Sequence, residues 1–411
     1  MIKILHTISR IIVGVVFLFS GFVKGIDPLG SNYKFIDYFT AFGMDFLNPL
    51  ALPMGIILST FEFVLGAMLI FHVKPKISAW LLLVFMTFFT ILTFFLALEN
   101  PVHDCGCFGD AIVMTNWQTF WKNMILMVFV VIIFGYRKRI RPYFNNNWQW
   151  GITGIAAVIM LGFTYYCYNH LPLFDFRPYK VGTNIPEKMK IPEGAPQPEY
   201  KTILRYKKDG KIKEFTMDSL PDSTWQWVET QNIKVKEGYT PPIDDLTIST
   251  LEGEDITDLI LREEGFTFWL IAYDLEEADT SHMKAINRMA SFCNKSNHCS
   301  FIGLTASLES QIHKFKTHTG ASFPFYHSDE IELKTIIRAN PGLMLVKNGV
   351  ILEKWHNNNI PAPDRFKEEF LNNPEYRDTT GNKMPEKQNK KQRFSLYLRS
   401  TNTMVGGTVL Y

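Results

Sequence analysis

A chain of 411 residues with a formal net charge of +2 offers no broad basic surface for nucleic acid, and five cysteines are too few for a disulfide-built scaffold. The mean hydropathy of zero averages two unlike halves. Residues 1 to about 170 are dominated by Phe, Leu, Ile, Val and Met, and the remainder is a charged, ordinary soluble sequence, which leaves room for two or three domains.

Five segments of the first half, near 6–25, 52–71, 77–98, 118–135 and 149–169, are long and apolar enough to cross a bilayer. The first begins with Lys3 and Arg10 but is followed by no A-x-A-like cleavage site, so it reads as a retained helix rather than a secretory signal. Basic residues in the short loops set the orientation. With the N-terminus cytoplasmic, that side collects eight Lys and Arg (Lys3, Arg10, Lys74, Lys76, Arg137, Lys138, Arg139 and Arg141), whereas loops 26–51 and 99–117 together hold only Lys34. The reading is a bacterial-type inner membrane protein whose 99–117 loop and C-terminal half lie outside the cytoplasm.

In the second span, Glu62 lies well inside the bilayer, where an ionisable group is costly unless neutral or partnered, so it is a candidate proton carrier. Ser59, Glu62 and Gly66 share one helical face that would point into the bundle. Gly21 and Gly25, beside Lys24, have the small-xxx-small spacing of a helix contact. Between the third and fourth spans stands His103-Asp104-Cys105-Gly106-Cys107-Phe108-Gly109-Asp110. Cysteines one residue apart close on each other only as a small, strained ring, the labile kind of disulfide rather than the structural kind. Cys105 and Cys107 are therefore candidate redox thiols, with His103 or Asp104 placed to influence which is the thiolate. Cys167, among the interfacial Tyr165, Tyr166 and Tyr168, reads as a small buried hydrophobe.

Phe19-Ser20-Gly21-Phe22-Val23-Lys24 with Asp27-Pro28, then Phe61-Glu62-Phe63-Val64-Leu65-Gly66, then Asp104-Cys105-Gly106-Cys107-Phe108-Gly109, and Trp117 with Asn123, resemble in order the DoxX/MauE-type membrane family. The resemblance covers residues 1 to about 135, and CGCFG is its specific element. It implies a four-helix membrane bundle tied to quinone-linked or thiol–disulfide redox, with a quinone as the candidate cofactor. One branch is linked to methylamine utilisation, where it assists maturation of a disulfide-rich dehydrogenase subunit. The implied organisation is a four-helix core over 1–145 and a fifth transmembrane helix over 146–170.

Prolines at 178, 186, 192, 196 and 198 mark residues 171–245 as an extended linker carrying a β-hairpin, with alternating strands at 200–206 and 211–216 around Lys208-Asp209-Gly210. A further strand follows at 232–236. From 246 to 372 strands and helices alternate: a buried strand from Phe266, a helix near 279–294, a strand at 300–305, a helix at 307–319, a short strand at 323–326, a helix at 330–338, a hairpin turning at Asn348-Gly349, and a closing helix. This α/β order resembles thioredoxin. In that fold the proline corresponding to Pro341 has a cis peptide bond and faces the active site. The catalytic Cys-x-x-Cys of that fold is missing, because its place reads Asp274-Leu275-Glu276-Glu277-Ala278-Asp279. Cys293 and Cys299 are spaced to pair, with free buried thiols or a redox partnership with the CGC loop as alternatives. His298 beside Cys299 is a weak metal motif and reads as a solvated turn. Residues 373–411, with seven Lys and Arg against three Asp and Glu, read as a disordered basic tail.

Two functions fit. One is a membrane thiol–disulfide oxidoreductase, with Cys105 and Cys107 cycling against an extracytoplasmic protein client and a quinone in the bundle, and Glu62 moving protons. The other is a non-catalytic cell-envelope anchor or assembly factor whose outer domain binds a partner. A metal site at His103, Cys105 and Cys107 is a third reading, without an evident fourth ligand.

Overall fold

Helix-compatible runs of Leu, Phe, Ile and Met, interrupted at polar caps, fold the first half into six helices of the computed structural model. The structure describes residues 2–102, 104–139, 141–196, 199–208, 211–216, 220–222, 224–236, 238–296 and 299–374. Helices α1 (Ile2–Ile26), α3 (Ala51–Ile70), α4 (Pro75–Glu99), α5 (Asn116–Tyr136) and α6 (Asn146–Asn169) are each long and apolar enough to cross a membrane. Between α1 and α3, within the 26–51 loop, lies α2 (Pro28–Ala41). Asp27 caps it by accepting from the Gly30 amide, and Pro28 occupies its first turn. Thr115 and Gln118 form a capping box that starts α5 just after the CGC loop.

Within a bilayer, helix association depends on close packing rather than on hydrophobic burial. Here glycines supply it. A side chain at Gly21 would overlap the backbone of Ser59 and Phe63, and one at Gly66 would sit 2.5 Å from the Leu18 amide nitrogen. Helices α1 and α3 therefore touch backbone to backbone, and a core of Val13, Phe17, Leu65, Leu69, Leu82, Met86, Leu126 and Val130 fills the space with α4 and α5. Ile57, Val84, Val128 and Val158 stay exposed on the outer faces, as lipid contact requires.

The second half begins inside the stretch read as linker, which is a spacer only in part. Tyr179 and Ile185 are fully buried in the downstream core, and the Ile185 amide donates to Gly349 O at 2.8 Å at the first residue of α7 (Ile185–Met189). Proline made this segment look extended, but its apolar residues find a core. Strands β1 (Glu199–Lys208), β2 (Lys211–Thr216) and β3 (Gln226–Lys236) form a three-stranded antiparallel sheet in the order β2-β1-β3. The expected hairpin is β1–β2, and its turn residues 209–210 lie outside the described residues.

After α8 (Thr257–Leu261) come β4 (Phe266–Ile271), α9 (Met283–Lys295), β5 (Cys299–Thr305), α10 (Glu309–Thr319), β6 (Phe325–His327), α11 (Glu330–Ile336), β7 (Gly342–Lys347) and β8 (Val350–His356). Their sheet runs β6-β5-β4-β7-β8, with β4, β5 and β6 parallel, β7 antiparallel to β4, and β8 antiparallel to β7. A parallel β-α-β pair flanked by an antiparallel hairpin is the thioredoxin arrangement, with β6 added at one edge. The hairpin turns at Asn348 and Gly349, both at positive φ (49° and 72°). Residues from Pro361 form a separate unit, described only to residue 374, which contains α12 (Pro363–Phe366). The basic tail proposed for 373–411 falls almost wholly outside the described residues.

Candidate functional site

The close α1–α3 approach decides which polar side chains meet. Ser20 and Lys24 are one turn apart on α1 and face Glu62 on α3. Lys24 Nζ lies 2.7 Å from each Glu62 carboxylate oxygen and 3.1 Å from Ser20 Oγ. Ser20 Oγ is 2.8 Å from Glu62 Oε2 and 2.7 Å from the Cys107 carbonyl oxygen. A hydroxyl has one hydrogen, so it serves these two acceptors one at a time. Glu62, the lone acid of its span, is thus held in a buried ion pair and joined through Ser20 to the CGC loop.

The loop is shaped by its own polar residues. Gly106 and Gly109 take φ of +63° and +51°, the left-handed region where glycine is unstrained. Asp104 accepts from the Gly106 amide at 2.9 Å and from Lys34 Nζ at 2.9 Å, and Tyr38 donates to the Cys105 carbonyl at 3.0 Å. Lys122 on α5 places its ammonium 4.5 Å from the Phe108 ring centroid. Cys105 and Cys107 are free, half-buried thiols. Cys107 is the more acidic thiol of the pair. Donation from Cys105 lowers its pKa to about 6 against the opposing effect of desolvation, with Lys122 and Lys24 also favouring the anion. The Cys105 thiol is pushed up by that same hydrogen bond and by burial.

Both thiols open into a cavity of about 980 Å³. Its intramembrane part is walled by Phe61, Phe85, Phe89 and Leu92, and its polar end by Lys24, Glu62, Lys122 and the CGC loop. Asn123, also on the wall, donates to Thr93 Oγ1 at 3.2 Å. An apolar chamber of this size ending in a few convergent polar groups is the usual form of a small-molecule site.

Of the residues singled out from sequence, Cys105, Cys107 and Glu62 come together, while His103 lies outside the described residues. Lys24, Ser20 and Lys122 were not singled out as site residues; the i, i+4 spacing of Ser20 and Lys24 was the available signal. Cys293 and Cys299 form a disulfide between α9 and β5, in the other half of the chain. The Asn340–Pro341 peptide is cis. Cys167 is free and buried in α6.

Residues 2–136 match the family profile described as methylamine utilisation protein MauE. The membrane segment is of the MauE type. That profile covers α1 to α5, and with them every side chain of the Cys107 site named above. Residues 200–237 match a domain of unknown function, DUF8463, which corresponds to the three-stranded sheet. No curated protein matches the chain. Among solved structures, the solution structure of a candidate protein disulfide isomerase from Bacteroides thetaiotaomicron is similar at 17% identity, over 28% of this chain and 76% of that one, with a TM-score of 0.23. A PrxQ variant from Xylella fastidiosa is similar at 10% identity, over 28% and 80%, with a TM-score of 0.21. The chain is a multi-pass membrane protein with a MauE-type segment and a thioredoxin-like domain, the latter defined by its strand order.

Proposed function

We propose that the protein is a membrane thiol–disulfide oxidoreductase that exchanges disulfides with an extracytoplasmic client through Cys105 and Cys107. A MauE-type segment joined to a thioredoxin-like domain suggests redox-related work at a membrane. The observation that carries the reading is Cys107, a free thiol lining the polar end of an apolar cavity and made more acidic by Cys105, Lys122 and Lys24. The thiolate is the attacking species in exchange. Cys107 attacks a client disulfide, forming a mixed disulfide and releasing one client thiolate. Cys105 then attacks the Cys107 sulfur, which frees the second client thiolate and closes Cys105–Cys107. Client and loop exchange two electrons, the Cys105 proton passes to the departing client sulfur, and the reverse sequence oxidises the client.

A quinone suits the cavity, which is apolar within the membrane and has the Lys122 ammonium at its polar end as a donor. Bound there, a quinone would supply an acceptor for two electrons and two protons. Lys24, Ser20 and Glu62 would hold the loop and pass a proton between the cavity and its surroundings. The loop charges, eight basic residues against one, support a cytoplasmic N-terminus and a thioredoxin-like domain on the outer side of an inner membrane, where disulfides form. One observation favours a second, non-catalytic reading as an envelope assembly factor: Asp274 to Asp279 replace the thiols of a thioredoxin.

Alkylation trapping of Cys105 and Cys107 in cells with and without respiratory quinone tests the proposal. A shift in their redox state when quinone is withdrawn, with loss of function in Cys105→Ser, supports it. An invariant state together with normal growth of Cys105→Ser removes it.

A further inference from the structure

The thioredoxin-like half meets the CGC site with one particular face. Arg338, which follows α11 and is 8% exposed, sends Nε to Asp27 at 2.8 Å and Nη2 to Asp110 at 3.1 Å. Asp27 caps α2, and Asp110 ends the CGC loop. Tyr33 of α2 meets the Tyr273 hydroxyl at 3.1 Å. The same Tyr33 ring lies 4.9 Å from Lys334 Nζ and 5.2 Å from Arg338 Cζ, within cation–π range. Ile331, Lys334 and Arg338 line the cavity that contains Cys105 and Cys107.

This face has a definite place in the thioredoxin-like fold. Tyr273 directly precedes the 274–279 loop where a thioredoxin has its cysteines, and Arg338 stands three residues before Pro341. Asn340 ties the two segments together, donating from its side chain to Asp274 O at 2.7 Å and accepting from the Asp279 amide at 2.9 Å. The surface beside a thioredoxin's reactive site is thus turned toward the membrane segment.

We propose that this face is a docking surface whose partner is the chain's own α2 and CGC loop, and that docking closes the thiol site to large molecules until Arg338 releases Asp27 and Asp110. The proposal concerns the regulation of the thiol site and rests on the oxidoreductase reading for its purpose. The geometry of closure stands apart from that reading. An undocked domain exposes Cys107 and the Pro341 face together, so a protein client reaches the thiols only when the cover has moved. A small molecule that fits the cavity lined by Cys107 needs no such movement.

The test is the alkylation rate of Cys107 in the full chain in lipid nanodiscs, read by peptide mass spectrometry. One reagent is small, iodoacetamide, and the other is a maleimide carrying a 5-kDa polymer. The expected result is rapid reaction of the wild type with the small reagent and at least tenfold slower relative reaction with the large one. Arg338→Glu, which sets a third acid against Asp27 and Asp110, should raise the large-reagent rate tenfold or more while changing the small-reagent rate less than twofold. Should Arg338→Glu fail to fold, Asp110→Asn serves instead, since Asp110 is partly exposed and Asp27 still holds Arg338; a several-fold increase is then expected. Equal access for both reagents in the wild type, or no change in either variant, overturns the cover. Neither result depends on redox turnover, so a closed but inactive site would refute the oxidoreductase reading and leave the cover standing.

Discussion

In the proposed exchange Cys107 makes the attack, and its ionisation is directly measurable. An ordinary thiol titrates near 8.5, whereas Cys107 is lowered to about 6, chiefly by the hydrogen bond from Cys105. Because the anion reacts, alkylation of Cys107 should be nearly pH-independent above about 7 and should fall tenfold per unit once the pH drops well below 6. Cys105→Ala removes the largest cause and should move the midpoint upward toward that of a free thiol; a wild-type midpoint near 8.5 would remove the basis for assigning the attack to Cys107. The Lys24–Glu62 pair carries a second expectation. Lys24→Met leaves the Glu62 carboxylate buried without its cation, which should cost about 3–5 kcal/mol in a detergent melt, whereas the apolar double variant Lys24→Met/Glu62→Leu should recover most of it. Equal losses in the single and double variants would show that the pair is not coupled. The two cysteines and Glu62 were legible in the sequence because a thiol pair in a loop and an acid in a span are unusual. Lys24 was not, because a lysine near a helix end ordinarily reaches to the membrane surface. Its role appears only when Gly21 brings α1 against Ser59 and Phe63.

At the scale of elements, hydropathy revealed all five spans, since twenty apolar residues have few alternatives to a membrane helix. The alternation of the thioredoxin-like half was equally readable, down to the turn at Asn348-Gly349. Two elements escaped. Helix α2 is 14 residues long and buries only Pro28 and Phe39, so its signal is the Asp27 cap and Pro28 rather than periodicity. The segment 179–189 was masked by its prolines, although Tyr179 and Ile185 are core residues. The Cys293–Cys299 disulfide was one of three open alternatives, since spacing alone does not fix pairing. It closes a short loop, so Cys293→Ser/Cys299→Ser should lower stability by about 2 kcal/mol on the chain-entropy scale, without altering thiol exchange at Cys105 and Cys107. Lost exchange in that variant, with the fold intact, would mean that the two cysteine pairs communicate.

The whole molecule places the CGC loop, α2 and the thioredoxin-like domain at one end of the helical bundle, joined through Arg338 and Tyr33. That arrangement was invisible in the sequence, because Arg338 is 311 residues from Asp27 and nothing local marks them as partners. It turns two separately readable halves into one site, with thiols from the membrane segment and a cover from the soluble one. The central claim is that Cys105 and Cys107 form a reversible redox couple. Its most direct test equilibrates the full chain in nanodiscs against glutathione buffers of graded ratio, quenches with alkylator and counts adducts at each cysteine. Cys105 and Cys107 should gain their adducts together, in a single two-electron transition, while Cys293 and Cys299 remain unmodified. Full alkylation of Cys105 and Cys107 at every ratio, or none at any, would contradict it.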